Sequence, residues 1–468
     1  VPWSPLLELS ATEQAGLIAR RDISSEELVR LYLDRIAEVQ PRLHAMVEVW
    51  PDEAIAAARR RDRAGRRGGK LPAFYGVPTA IKDLYPVRGH VTRFGSRAVA
   101  IPSPIDSVTT RSFRRGGFVL LGTTATSELG VMPVTEPDTH APTRNPWDLR
   151  RSAGGSSGGA GAAVASAMLP IAHASDGAGS IRIPCALNHL FGFKPSRGRV
   201  ANAFGFDDRH LLYTCGPAAR SVGDAAALLD VLAGLDVGRP HWLAPPTEPF
   251  AATFDRDPGR LRIGLMLDNP VTRPDPAIVA QVHEVAATLT SLGHEVVERT
   301  APGITLDEFL PIYQLMVAGA PVMLPRRLQP VTTWLRDAGR RLDPAEVLAV
   351  QHRLTVQLAR VIEGVDLLLT PTVAVQTPEV GRWRNVPPEV AFREAAELGG
   401  FTAAANITGS PAATIPAGLL EGRWPVGAQL VARPGEDALV LQVARQLEMV
   451  RPWAGRWAPG AGRPEPAP

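Results

Sequence analysis

Two hydroxyl-bearing clusters bracket a run of small residues in "GGSSGGAGAAVASAMLPIAHASDGAGSIRIP", Gly154–Pro184. Acyl transfer requires a nucleophile, a base and donors for the oxyanion. The second cluster offers Ser180, directly after Gly177, Ala178 and Gly179. No bulky side chain shields the backbone N–H groups of that run, so it suits an anion-holding nest. The local sequence supplies no base. A phosphate cradle is the second reading, because Gly-rich turns ahead of helices bind anions. A P-loop ends on Lys-Ser/Thr, however, and "GGSSGGAG" has no lysine; a dinucleotide fingerprint also needs an acidic residue downstream. A flexible linker is the third reading. Linkers are Gly/Ser-rich throughout, whereas "AAVASAMLPIAHA" (Ala162–Ala174) has the character of a buried helix and strand.

The surrounding chain alternates helix and strand signals. Ser10 with Glu13 and Ser24 with Glu27 form capping boxes ahead of apolar periodicity. Leu28, Leu31, Leu33, Ile36 and Val39 make one helical stripe. "YGVPTAIKDLY" turns at Gly76-Val-Pro78 and runs as a short strand into Lys82; "GGFVLLGTT" is a buried strand after a helix near Ser107–Arg115. "LRIGLML", a helix opened by Asp275-Pro276 and closed by Gly293, and "HEVVE" make a βαβ unit. "DLLLTPTV" and "GAQLVAR" add strands. The pattern predicts an α/β fold with a mixed sheet covered by helices.

At 468 residues, 45% hydrophobic and 21% charged, the chain can bury a large core. The net charge of +3 is interspersed, and "ARRRDRAGRRGGK" (Ala58–Lys70) reads as a solvated helix end, so no nucleic-acid partner is expected. Cys185 and Cys215 form neither a disulfide framework nor a metal motif, and are expected to be buried thiols in a reducing, cytoplasmic setting. "VPWSPLLELSATEQ" lacks the regions of a signal peptide, and no apolar run is long enough for a membrane span.

"GGSSGG" (Gly154–Gly159), Ser180 twenty-four residues after Ser156, and "GFKPSRGRV" (Gly192–Val200) closely resemble the amidase signature family. "GVPTAIKD" (Gly76–Asp83), "GTTATSELG", "RNPWD", "GPAARSVGDAAALL" and "NITGSPAATIPAG" agree, so the resemblance covers most of residues 1–235 and 360–450. It implies one amidase signature domain over residues 1–455 with a variable pocket region at 236–360; the Pro/Gly-rich composition of the tail, 456–468, makes disorder the expectation there. The resemblance implies a Ser–Ser–Lys triad with no metal or cofactor. Ser180 attacks the amide carbonyl. Ser156, on a cis peptide bond, relays the proton to Lys82. A free lysine titrates near ~10.4, so Lys82 must be neutralised by burial; Thr79-Ala-Ile81 and Leu84 are apolar enough to allow it. The bland alternative is a surface lysine paired with Asp83. The expected oxyanion and substrate set is Gly177, Ala178, Gly179, Ser157, Asp176 and Arg182. Within it, Asp176 is expected to fix the turn, and Arg182 to hold the loop or a carboxylate. His173 and His189 are expected to be structural or to line the pocket.

Four positions depart from the family pattern. Ala178 replaces a usual glycine and is strained if its φ is positive. Thr123 and Ala125 replace a usual lysine and asparagine. Ile183 stands where glutaminase-type, tRNA-partnered members carry glutamine, which argues against that role. "SDGAGSIRIP", "TEPDTHAPTRNPWD" and "LFGFKPSRGRV" resemble the branch with 6-aminohexanoate cyclic-dimer hydrolases and aryl acylamidases. The expected substrate is a small apolar or aromatic amide, in a pocket drawing on Phe309, Tyr313, Met316, Met323, Trp334, Trp383 and Phe392. Ester or carbamate hydrolysis, or acyl transfer, uses the same triad; an inactive binding protein is the remaining class. A homodimer is compatible with the fold.

Overall fold

Residue patterning places every predicted strand, but the strands divide between two sheets. The computed structural model describes residues 3–66, 69–201, 211–234 and 242–463. Strands β1 (Met46–Val49), β2 (Pro78–Lys82) and β3 (Val119–Thr124) make a three-stranded sheet in the order β1-β3-β2. β2 and β3 are parallel and β1 is antiparallel to β3. Gly76 turns the chain into β2 at φ +79, and a Cβ there would lie 2.9 Å from the Ser25 side chain. The helix Val108–Arg115 joins β2 to β3, opened by Ser107, whose hydroxyl accepts from Thr110 N.

The larger sheet contains β4 (Ile171–Asp176), β5 (Phe191–Lys194), β6 (Thr214–Ala219), β7 (Arg262–Leu265), β8 (Glu295–Glu298), β9 (Leu367–Pro371), β10 (Ala412–Leu420) and β11 (Trp424–Val431). Its order is β8-β7-β9-β11-β10-β5-β6-β4. β7 runs parallel to β8 and β9, and the remaining neighbours are antiparallel. The sheet is therefore mixed, flanked by the helices Arg182–Leu187, Pro276–Ser291 and Asp437–Val450 among others. The βαβ unit forms as expected: Asp275 caps Ala277 N at 2.9 Å, and Gly293 ends the helix at φ +96. Leu28, Ile36 and Val39 are buried on the helix Ser25–Leu43, with Leu31 and Leu33 at the margin.

β2 and β4 lie side by side where the two sheets meet. Side chains bridge that seam: Thr79 Oγ1 donates to Ile171 O at 2.8 Å, and Lys82 N donates to His173 Nδ1 at 3.2 Å. The expected disordered tail is corrected up to Arg463. Gly460 N donates to Pro146 O at 2.8 Å, Trp457 meets Trp3 edge-on, and Arg463 pairs with Glu8 at 3.0 Å. Aromatic burial and this ion pair hold the segment; residues 464–468 lie outside the described residues. Both cysteines are free and buried.

Candidate active site

β2 delivers Lys82 to the seam with no exposed surface. Its Nζ lies 2.7 Å from Ser156 Oγ, 2.7 Å from Ser157 Oγ and 3.1 Å from Ser175 Oγ. No carboxylate is among these hydrogen-bond partners. Burial pushes the Lys82 pKa well below the ordinary lysine range, against the weaker pull of Asp176. Ser157 Oγ also lies 3.2 Å from Ser175 O, placing its own proton there. It therefore accepts from Lys82. Pairing with Asp83 does not occur: that carboxylate accepts from Arg93 N at 3.0 Å and Gly95 N at 3.4 Å, and burial raises its pKa to about 7.

The Gly155–Ser156 peptide bond is cis, as the resemblance implied. Thr135 Oγ1 fastens this turn, donating to Gly154 O at 2.9 Å and accepting from Gly158 N at 3.0 Å. Close packing dictates the glycines: a Cβ on Gly155 would lie 2.6 Å from Val134 N, and one on Gly159 2.3 Å from Ala125 N.

Ser180 is half-buried and lines the main cleft. Its carbonyl accepts from Ser157 N at 3.3 Å, which ties the two serine turns together. Among the described residues, Ser180 Oγ makes no hydrogen bond, to Ser156 or to any other group.

The expected oxyanion and substrate set is corrected at Ser157 and Gly179, whereas Asp176 fixes the turn and Arg182 holds a carboxylate as expected. Ser157 is fully buried and holds Lys82. Asp176 and Arg182 are both fully buried and face each other: Arg182 Nε donates to Asp176 Oδ2 at 2.9 Å and Nη2 to Oδ1 at 2.8 Å. The remaining Arg182 donors go to Thr402 O, Gln429 Oε1 and Asn406 Oδ1 at 2.8, 2.7 and 2.6 Å. All five guanidinium protons are thereby engaged, and none is left for a ligand. Burial alone would raise the Asp176 pKa, but Arg182, Lys194 and Asn406 hold it below the usual carboxylate range. Gly179 N donates to Asp176 Oδ1 at 2.7 Å, so it is occupied as well. Gly177, Ala178 and Ser180 keep N–H groups without an acceptor among the described residues. Ala178 lies outside the positive-φ residues, so its methyl is tolerated; Gly179 takes φ +131.

Strand alternation explains the structural place of His173 and the role of Ser175, which sequence reasoning missed. His173 and Ser175, two apart on β4, point to the same side as Lys82, while Asp176 points away to Arg182. Burial and the neighbouring Lys82 push the His173 pKa down to about 3, and its ring sits edge-on to Tyr85 and Phe113. It is a packed neutral residue. His189 is also buried, against Trp147, and neither histidine lines the cleft.

The cleft opens to solvent and, with the solvent at its mouth, spans about 980 Å³ of empty space. No charged side chain lines it among the described residues. Phe309, Tyr313 and Phe392 line it as expected, with Tyr313 5.8 and 5.5 Å from the other two rings. Tyr313 OH donates to Val131 O at 2.8 Å, which spends its polar atom on the protein. Trp334 supports Phe392 from behind at 5.8 Å, Met316 is core, Met323 is 63% exposed, and Trp383 donates to Glu394. Met132, Met266 and Phe401 complete the wall without a period or motif that announces them. Among the described residues no cluster of His, Cys, Asp or Glu is placed to hold a metal.

The family model for amidases matches residues 27–441. The chain belongs to the amidase family. It is 34% identical to 6-aminohexanoate-cyclic-dimer hydrolase of Paenarthrobacter ureafaciens, covering 95% of each chain. The solved structure of a 6-aminohexanoate cyclic dimer hydrolase with substrate superposes with a TM-score of 0.88 at 32% identity, over 97% of this chain and 99% of the other. A bacterial aryl acylamidase of the amidase signature family gives 0.86 at 27% identity, over 99% and 100%. The amidase thus has relatives of both kinds, and its fold is the amidase signature fold. Its departures from the family pattern now have places. Ile183 is buried and forms part of the apolar wall, whereas Thr123 and Ala125 are buried away from the cleft. Ala125 supports the serine turn instead, accepting from Gly159 N at 3.1 Å.

Proposed function

We propose that the amidase hydrolyses a small apolar or aromatic amide through an acyl-Ser180 intermediate. The observation that carries this reading is a fully buried lysine held by three serine hydroxyls, on a turn whose Ser157 N–H is tied to the carbonyl of Ser180, a residue that lines an uncharged cleft. Ser180 Oγ attacks the carbonyl carbon. Its proton passes to Ser156 Oγ, which gives its own to the lone pair of Lys82. Backbone N–H groups of the Gly177–Ser180 turn receive the negative oxygen. The C–N bond then breaks, and the relay returns the proton to the departing amine. Water repeats the sequence in reverse to free Ser180 and release the acid. Serine hydroxyls fit this relay because each accepts one proton while donating another.

The lining favours substrates without formal charge near the scissile bond, since a buried ion would find no partner there. The resemblance to cyclic-dimer hydrolases and acylamidases supports amides over esters. The test is covalent labelling by phenylmethylsulfonyl fluoride, read by intact mass, with turnover of an anilide and its matching ester. One adduct on the parent, none on Ser180→Ala, and loss of anilide turnover by at least ~10⁴-fold are expected. Undiminished turnover by Ser180→Ala overturns the mechanism.

A further inference from the structure

Thr402 follows a stretch of the cleft wall, Gly399, Gly400 and Phe401, and precedes another, Ala403 and Ala404. Thr402 itself is fully buried and turns toward the Ser180 loop. Its Oγ1 donates to Ala178 O at 2.6 Å, with Gly399 O a longer second acceptor at 3.2 Å. Its carbonyl accepts from Arg182 Nη1 at 2.8 Å. The carbonyl of Ala178 and the N–H of Gly179 are two ends of one planar peptide. That N–H donates to Asp176 Oδ1 at 2.7 Å. The peptide in the middle of the turn is therefore pinned at both ends, by Thr402 and by Asp176. The N–H groups on either side of it, Ala178 and Ser180, have no acceptor among the described residues. The contact also sets the residue at 179: φ is +131, and a Cβ would lie 2.2 Å from Thr402 Oγ1.

We infer that Thr402 is a positioning residue: by fixing the Ala178 carbonyl, it aims the N–H groups of Ala178 and Ser180 as the pair that receives the oxyanion. The inference rests on the acyl-enzyme reading and refines it. Gly179 is excluded from the donor pair because its N–H is spent on Asp176. The pinned peptide leaves its neighbours few joints to rotate about, so the donors are in place before charge develops on the substrate. Such preorganisation acts on the transition state and little on the bound amide. The wall that the substrate touches and the peptide that aims the donors are one continuous segment, joined at Thr402.

The test uses the full chain with Thr402→Val, which removes the hydroxyl at nearly constant volume, and Thr402→Ser, which keeps it. Readouts are anilide kcat and KM, inhibition by a trifluoromethyl ketone that forms a tetrahedral adduct, and inhibition by the matching carbinol, which forms none. Valine is expected to lower kcat by about 10–100-fold with KM within about twofold, and to weaken the ketone in parallel while sparing the carbinol. Serine is expected to restore kcat to within about threefold. A valine variant with parental melting and parental kcat overturns the inference, as does equal loss of ketone and carbinol. If valine melts below the assay temperature, Thr402→Cys takes its place: a fall in kcat at steady KM supports the inference, and an unchanged kcat overturns it. Failure of the acyl-enzyme reading shows separately, as undiminished turnover by Ser180→Ala.

Discussion

Lys82 and Arg182 are both buried cations within reach of the same β4 strand, and the protein treats them in opposite ways. Arg182 meets a bidentate carboxylate and three further acceptors. Lys82 meets only hydroxyls. A paired guanidinium braces the turn. An amine that burial holds without a carboxylate partner has its pKa lowered, which suits Lys82 to the proposed base role. The identity of the partner, carboxylate or alcohol, separates scaffold from chemistry.

The sharpest way to break this comparison is to replace each cation with methionine. Lys82→Met should lose at least ~10³-fold in kcat, as expected for a relay member, and remain at least as stable as the parent at neutral pH. Arg182→Met strands Asp176 without its partner and should cost about 3–5 kcal/mol of stability, with activity lost through unfolding. Thermal melts and kinetics on both variants decide; a destabilised Lys82→Met would put the two cations in one class.

The pH dependence separates them next. Lys82 has a folded pKa below its unfolded value of ~10.4. Between the two values the unfolded chain binds a proton that the folded chain does not. This group's contribution to stability therefore falls as pH drops from ~10.4 to the folded value, and Lys82→Met removes that slope. Activity follows the neutral amine: it should rise with pH through the folded pKa and then level. Denaturant melts and kcat/KM measured across pH check both signs.

The smallest effect expected comes from Ser175→Ala, which deletes one of three lysine partners. A loss of about 2–10-fold in kcat with steady KM is expected, in line with one neutral hydrogen bond. No loss would leave Ser156 and Ser157 as sufficient support.

The fold was legible because it depends on local signals. Capping boxes, Asp275-Pro276 and alternating strands lie within a few residues of what they control. Lys82, Ser156 and Ser180 sit in motifs specific enough to be recognised together. The turn-fixing role of Asp176 and the holding role of Arg182 were legible; the further acceptors of Arg182 were not, since they arrive from far along the chain. Nothing near "SDGAGSIR" indicates that Asn406 and Gln429 will take the guanidinium protons. Ser175 was visible in principle: it lies two residues from His173 on a strand, so both share the lysine side. The division into two sheets also escaped, because strand pairing at the β2–β4 seam is replaced by side-chain contacts from Thr79 and His173.

The bonds from Arg182 to Thr402, Asn406 and Gln429 span 220, 224 and 247 residues. Contacts of that range close only after the intervening chain has collapsed. During synthesis, Lys82, Ser156 and Ser180 emerge early, but the segment that braces the nucleophile turn follows more than two hundred residues later. The nascent chain thus carries Lys82, Ser156 and Ser180 long before it carries the acceptors that complete the surroundings of Arg182, and the geometry of the Ser180 turn belongs to the closing stage of folding.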